Sequence, residues 1–115
     1  MLKVEENQKI IKYLSSLKET EISYPYTKTL AVYSVKKIPF AYLETSRDIL
    51  RISLRSDREL SKLLREKYEE VLPGQKLNPN IWNTIILSGQ LNPEEIQALI
   101  DHSYDLAIKT NQPKS

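Results

Sequence analysis

The spacing of hydrophobic residues along the chain changes between a helical and a strand-like period. Residues 4–17 carry apolar side chains three and four positions apart, which predicts an amphipathic helix. Segments 30–35, 38–44 and 48–55 are rich in β-branched, aromatic and other apolar residues typical of strands. Because the connections between these segments are short, we expect them to form an antiparallel meander.

Alternation assigns the strand side chains to the two faces of the predicted sheet. Ile38, Phe40 and Tyr42 should share one face of their strand. In the next strand the apolar side chains should face the helices, which places Arg51 and Arg55 on the opposite, open face.

Two further helices have clear start signals. Ser56-Asp57-Arg58-Glu59 matches a capping box, in which the serine hydroxyl and the glutamate carboxylate bond to each other's free backbone amides. Asn92-Pro93-Glu94-Glu95 combines an amide cap, a proline at the first helical position and acids beside the positive helix end. The apolar stripe expected for the earlier helix consists of Leu60, Leu63, Leu64 and Tyr68.

The elements follow the order α-β-β-β-α-β(β)-α. This order predicts a two-layer α+β fold, with three helices on one face of an antiparallel sheet of four to five strands. We expect a single domain over residues 1–108 and a polar tail over residues 109–115. The predicted common core contains Leu14, Leu50, Ile52, Leu63, Leu64, Ile85, Leu99 and Leu106.

Composition narrows the range of functions. The 115 residues contain no cysteine, which excludes disulfides, thiolate nucleophiles and zinc–cysteine sites. Only two glycines are present, so a glycine-rich phosphate loop is excluded as well. No apolar run approaches the roughly 20 residues of a membrane span, and the N-terminus lacks the order of a secretory signal. We therefore expect a cytoplasmic protein that does not bind membranes.

Catalytic and metal chemistry have little support in the sequence. His102 is the only histidine, and Ser103 points about 100° away from it on the predicted helix, so the two cannot form a nucleophile–base pair. We expect no enzymatic activity, no bound metal and no cofactor. His102 and Tyr104 should instead bond to loop backbone, with the connector Tyr24-Pro25-Tyr26 as a candidate partner.

The only tryptophan, Trp82, lies among amides at the start of the last strand, 82–87. By alternation it shares the open face with the arginines, where it is either the aromatic centre of a binding surface or a structural plug covered by its surroundings. Asn78 and Asn83 should satisfy the backbone of the turn before this strand.

The charge is small overall but unevenly distributed. The net charge is +2, yet residues 36–67 hold nine basic residues against five acidic ones. Basic side chains can contact nucleic-acid phosphates, and an exposed aromatic ring can stack on bases. The candidate nucleic-acid contacts are Lys36, Lys37, Arg51, Arg55, Arg58 and Trp82.

Several short motifs resemble the MmcQ/YjbR family over nearly the whole chain. They include Trp82-Asn83-Thr84, His102-Ser103-Tyr104 and the turn Pro73-Gly74 with Asn78. The Tyr24-Pro25-Tyr26 element is also similar, although Thr27 follows it where the family usually has glycine. The resemblance implies a small α/β fold, compared with double-winged nucleic-acid-binding shapes, and structural or ligand-lining roles for these residues.

The sequence leaves two classes of function open. The first is a non-enzymatic module that binds DNA weakly, without sequence preference and in a salt-sensitive way, through the basic sheet face. The second is a module that binds a protein partner or a small ligand at the surface around Trp82. In either case we expect a monomer or a weak homodimer.

Overall fold

A computed structural model describes residues 2–74 and 77–110, with side chains from Glu5 onward. Three helices and six strands make up this part of the chain, which confirms the α+β class. Their order is α1 (Leu2–Ser16), β1 (Thr20–Ser23), β2 (Leu30–Val35), β3 (Ile38–Glu44), β4 (Arg51–Arg55), α2 (Arg58–Lys67), β5 (Val71–Pro73), β6 (Trp82–Ile86) and α3 (Pro93–Thr110). The predicted count of four to five strands was too low, because the short and mostly exposed β1 has little hydrophobic pattern.

All six strands form one antiparallel sheet in the order β1-β2-β3-β4-β6-β5. The strands β2, β3 and β4 are the expected meander, and β1 extends it by pairing with β2 at one edge. The chain then passes through α2 to β5 at the far edge and returns as β6, which fills the place between β4 and β5. The central strands are therefore β3, β4 and β6.

The helices cover one face of the sheet. α3 packs against β2, β3 and β4, α1 packs against α3 and β1, and α2 packs beside β5 and β6. Ile52 pairs with Ile85 across β4 and β6, and both are buried beneath the helices. The predicted two-layer packing is confirmed, with the alternate positions of each strand on the helix-free face.

A bulge in β3 changes the predicted face of Phe40. The register passes from Tyr33 opposite Ala41 to Ser34 opposite Pro39, so β3 advances two residues while β2 advances one. The extra residue is Phe40, which turns with Ala41 into the helix side and is fully buried there. The expectation that Phe40 shares a face with Tyr42 was wrong, because strict alternation fails at a bulge.

Helix α2 begins and packs differently from the sequence prediction. Its N-cap is Asp57, whose carboxylate accepts from the Leu60 amide at 2.9 Å. Ser56, the predicted cap, is buried and its hydroxyl bonds to that of Ser61. Leu63 is 60% exposed, so its predicted place in the core was wrong. The helix is rotated because the fully buried Ser61 occupies the centre of its inner side.

Helix α3 starts where the sequence predicted. The Asn92 side chain accepts from the Glu95 amide at 2.8 Å, and the Glu95 carboxylate accepts from the Asn92 amide at 3.0 Å. The helix continues through Thr110, beyond the predicted end of the domain at residue 108. Residues 111–115 of the predicted tail lie outside the described residues. No helix in the described ranges is long and apolar enough to cross a membrane.

A hydrogen bond from Tyr13 to Asp101 joins α1 to α3. This bond, together with burial and the negative charges of Asp101 and Asp105, raises the pKa of Tyr13 to about 12. The fold therefore favours neutral Tyr13, and the stability from this pair is present below pH ~10 and is lost as the pH rises from about 10 through 12.

We expect Tyr13→Phe to lower the free energy of unfolding by about 1 kcal/mol near neutral pH. The difference from the parent protein should shrink above pH ~11, where the parent loses the same bond. Urea denaturation at both pH values measures it, and Tyr24→Phe on the exposed loop is the matched control. Equal stabilities of the Tyr13→Phe protein and its parent at neutral pH would mean that the bond contributes nothing.

Candidate functional site

A cleft of about 540 Å³ opens on the helix-free face of the sheet. Its floor is formed by the central strands β3, β4 and β6, and its rim by the loops that follow β1, β3 and β5. One end is charged, and the rest combines hydroxyl-bearing, aromatic and aliphatic side chains. The residues that line the cleft are Tyr26, Thr27, Leu30, Tyr42, Glu44, Arg47, Arg51, Ser53, Leu77 and Thr84.

The floor of the cleft is polar but internally bonded. Ser53 and Thr84 are direct neighbours across β4 and β6, and their hydroxyl oxygens are 2.8 Å apart. Both side chains are buried. A bonded hydroxyl pair on two central strands makes the floor rigid, because neither side chain can rotate without breaking the bond.

One wall of the cleft is aromatic. Tyr42 packs edge-on against Trp82, with ring centroids 5.3 Å apart and the ring planes at 69°. Burial raises the pKa of Tyr42, and the neighbouring Tyr26 raises it further. The Tyr42 hydroxyl therefore stays neutral at physiological pH, while Tyr26 stands 69% exposed at the rim.

The charged end of the cleft contains Glu44, Arg47 and Arg51. Glu44 and Arg51 are direct cross-strand partners on β3 and β4. Partial burial pushes the pKa of Glu44 upward, but hydrogen bonds from Ser46, Thr29 and the Thr45 backbone outweigh this and hold the pKa below its ordinary value. Among the described residues, neither guanidinium group has a hydrogen-bond or ion-pair partner.

Trp82 is a plug rather than an exposed binding surface. It lies on the helix-free face, as alternation predicted, but it is only 9% exposed. Tyr42 covers one side of the indole, and Gly74 approaches its Cβ from the loop after β5. Of the two alternatives that the sequence left open, the structure supports the structural one. The cleft lies beside Trp82 and shares Tyr42 with it.

Gly74 has no room for a side chain. A Cβ at this position would lie 2.8 Å from the Trp82 Cβ and 3.1 Å from its carbonyl oxygen. We expect Gly74→Ala to lower the free energy of unfolding by about 1–3 kcal/mol, because the loop must shift to relieve this contact. Emission from Trp82 reports the shift directly, since the chain has no other tryptophan.

The exposed Asn80→Ala in the same loop is the control for Gly74→Ala and should leave Trp82 emission unchanged. A Gly74→Ala protein with the stability and emission of its parent would show that the loop does not close over Trp82.

The candidate nucleic-acid contacts lie at two ends of the sheet. Lys36 and Lys37 form the β2–β3 turn, both with positive φ (50° and 68°). Arg55 ends β4 toward this turn, and its guanidinium donates to the Thr110 hydroxyl at 3.1 Å. Arg58 starts α2 three residues after Arg55. Arg51 lies at the other end of β4, in the cleft.

The side chains of His102 and Tyr104 contact other segments of the fold. The His102 Nε2 accepts weakly from the Asp57 backbone amide at 3.4 Å and lies 3.5 Å from the Asp57 carboxylate. The Tyr104 hydroxyl donates to the Lys18 carbonyl at 2.5 Å. Both residues do contact loop backbone, but not the connector Tyr24-Pro25-Tyr26 that the sequence suggested.

Ser103 and Asn83 hold helices to the sheet. The Ser103 hydroxyl donates to the Phe40 carbonyl at 2.6 Å, and the Asn83 side-chain amide donates to the Ser61 carbonyl at 3.1 Å. The predicted role of Asn83 in the turn was therefore wrong. Asn78 does serve the turn, since its side chain accepts from the Asn80 amide at 3.0 Å. Pro73 ends β5 opposite Asn83.

Sequence reasoning missed most of the cleft. It identified Arg51, Tyr26 and Thr84, but not Glu44, Arg47 or the apolar lining. The alternation of β3 and β4 carried a usable signal, because Glu44 lies opposite Arg51 in a meander of this register. Arg47 and Leu77 lie in loops, where no periodic pattern indicates direction.

The side chains that could bind a metal ion form no metal site in the part of the chain that the structure describes. No three side chains among its His, Asp and Glu residues cluster at a distance that could hold an ion. His102 pairs with a single carboxylate, that of Asp57. The side chains that line the cleft can form hydrogen bonds, charge pairs and ring contacts.

Comparison with known proteins gives consistent matches. A family model described as YjbR matches residues 15–106. The chain is 34% identical over 74 residues to the Uncharacterized protein YjbR of Escherichia coli K12, which covers 64% of this chain and 63% of that protein. The match therefore spans less than two thirds of the length of that relative.

Solved structures share the fold. Deinococcus radiodurans protein DR2400 superimposes with a TM-score of 0.84 at 28% identity, covering 90% of this chain and 78% of that one. A Pseudomonas syringae protein superimposes with a TM-score of 0.75 at 26% identity, covering 87% of this chain and 97% of that one. The family model matches most of this chain, and the chain therefore belongs to the YjbR family.

Proposed function

We propose that this protein is a non-enzymatic binding module that holds a small organic anion in the cleft of the helix-free sheet face. One observation carries the proposal: Arg47 and Arg51 both line the charged end of the cleft, and neither guanidinium group has a partner among the described residues. The module acts in the cytoplasm as a monomer or a weak homodimer.

The size and lining of the cleft support a ligand of this class. Pockets for small molecules commonly have volumes of about 300–1,000 Å³, mostly apolar walls and a few converging polar groups. The cleft has about 540 Å³, with Leu30, Tyr42 and Leu77 along its walls. Guanidinium groups bind carboxylates through paired, charge-assisted hydrogen bonds, which would fix one end of the ligand.

The absence of enzymatic activity stays a prediction, and the contacts support it. His102 bonds to the N-cap region of α2 and Ser103 to the backbone of the sheet, so both are engaged on the helix side. The Ser53 hydroxyl in the cleft is bonded to Thr84, and no histidine lines the cleft. A hydroxyl without an adjacent base is a poor nucleophile.

Sequence-independent DNA binding also stays a prediction, with less support than the small-ligand function. The six candidate contacts do not form one basic surface: Arg51 lies in the cleft, Trp82 is buried, and Lys36 and Lys37 occupy the distant turn. Affinity for duplex DNA rises with the number of phosphates neutralised together, so a divided set favours weak binding.

Titration of ¹⁵N-labelled protein with 3-phenylpropionate, an aromatic carboxylate, tests the proposal. We expect chemical-shift changes at Leu30, Tyr42, Ser53 and their strand neighbours, with weak saturable binding. Arg51→Gln should weaken binding about tenfold or more, because a charge-assisted hydrogen bond contributes about 1.5–3 kcal/mol. Lys62→Gln on exposed α2 is the matched control and should change nothing.

A titration with a short DNA duplex separates the two functions. Changes confined to Lys36, Lys37 and Arg58, together with no binding of the carboxylate, would overturn the small-ligand proposal in favour of DNA. Carboxylate binding that ignores Arg51→Gln would show that the charged end of the cleft is not the site.

A further inference from the structure

Glu44 and Arg51 present opposite charges side by side without neutralising each other. They are direct cross-strand partners on the helix-free face, where Cβ atoms of such pairs lie about 4.5–5.5 Å apart. Both line the cleft. Within the described ranges they form no ion pair with each other or with another side chain. Neither charge is therefore neutralised by a charged side chain of the described residues.

The Glu44 carboxylate is held in place as an anion. Its Oε2 accepts from the Ser46 backbone amide at 3.0 Å. The Thr45 hydroxyl and the Thr29 carbonyl are bonded at 3.0 Å, which ties the loop after β3 to the start of β2. The carboxylate thus has a fixed position, and its ionised form is the one that these hydrogen bonds favour.

A fixed carboxylate beside two guanidinium groups restricts the ligand. A ligand that carries only an anionic group gains from Arg47 and Arg51 but is repelled by Glu44. A ligand that also carries a cationic amine next to its anionic group satisfies all three side chains. The ammonium and carboxylate of a free α-amino acid are attached to one carbon, so the two groups can face neighbouring side chains of opposite charge.

The remainder of the cleft suits a ring. Leu30, Leu77 and Tyr42 line it, and the whole cleft has a volume of about 540 Å³, more than a single large side chain fills. We propose, resting on the function above, that the cleft binds a free aromatic α-amino acid. Its ammonium bonds to Glu44, its carboxylate to Arg51 and Arg47, and its ring packs against Tyr42.

Three compounds that differ by single groups test this proposal by ¹⁵N NMR titration: phenylalanine, 3-phenylpropionate, which lacks the amine, and phenethylamine, which lacks the carboxylate. We expect phenylalanine to bind at least about tenfold more tightly than either of the other two compounds. Each of them lacks one charge-assisted hydrogen bond, and such a bond contributes a large part of the binding free energy of a weak ligand. Glu44→Gln should bring phenylalanine down to the affinity of 3-phenylpropionate. Glu21→Gln, on exposed β1, is the matched control.

The comparison on the unmodified protein needs no variant, so it stands even if Glu44→Gln folds poorly. Binding of 3-phenylpropionate in the cleft as tightly as phenylalanine would overturn the amino-acid proposal and leave the anion-binding function intact. Failure of both compounds to bind would overturn the two together. Equal loss of both affinities in Glu44→Gln would assign Glu44 a role in shaping the cleft and would also contradict the proposal.

Discussion

Replacement of Ser103 by alanine is expected to lower the free energy of unfolding by about 2–5 kcal/mol. The Ser103 hydroxyl is fully buried, donates to the Phe40 carbonyl at 2.6 Å and accepts from the Arg55 amide at 2.9 Å. The variant would leave a buried carbonyl and a partly buried amide without partners, and each unsatisfied group costs about 1–3 kcal/mol. Urea denaturation with an unchanged m-value measures the loss.

Ser16→Ala is the matched control for Ser103→Ala. The Ser16 hydroxyl also donates to a backbone carbonyl, that of Tyr13, but on the exposed surface of α1. Water can replace this bond, so we expect a change below about 0.5 kcal/mol. Similar effects of the two substitutions would mean that Ser103 does not join α3 to β3 and β4.

Replacement of Phe40 by alanine should destabilise the protein by about 3–5 kcal/mol, the usual cost of removing a buried phenylalanine ring. Phe40 is fully buried and packs edge-on against Tyr104 of α3, with ring centroids 5.3 Å apart. Tyr33 of β2 lies on another side, at 6.5 Å. The ring therefore fills the space between the meander and α3. Thermal and urea unfolding both measure the effect.

Leu63→Ala is the control for Phe40→Ala, because it removes a large apolar side chain that is not buried. Leu63 is 60% exposed on α2, so its truncation should cost less than about 0.5 kcal/mol. A Phe40 side chain on the helix-free face, the side that Tyr42 takes, would make Phe40→Ala nearly as mild. A small effect would therefore contradict the bulge in β3.

Two errors of the sequence prediction, in the face of Phe40 and in the burial of Leu63, have the same physical origin. The hydrophobic pattern indicates which residues gain free energy from burial. It does not indicate where a strand or helix departs from regular periodicity. The bulge that turns Phe40 inward depends on the pairing of β2 with β3. The rotation that exposes Leu63 depends on Ser61 of α2, whose carbonyl accepts from Asn83 of β6. Neither contact is local, so no window of sequence contains it.

The candidate site was predictable only in part, for a related reason. The alternation of side chains along β4 and β6 predicts the face of Arg51 and Thr84, and both lie on the predicted face. Arg47 and Leu77 enter the cleft from loops, whose direction is decided by packing rather than by period. Trp82 was correctly assigned to its face, but its burial depends on Tyr42 and on the close approach of Gly74.

The sequence by itself determined the elements and their class: three amphipathic helices, a β meander and the cap of α3 follow from periodicity and local hydrogen bonding. The tertiary structure alone decided which charged residues line one cleft. Glu44 and Arg51 are neighbours because β3 and β4 pair in one register, and Arg47 lines the same cleft from the loop that follows β3. Local forces act over a few residues, whereas a cleft is made by contacts between residues far apart in the chain.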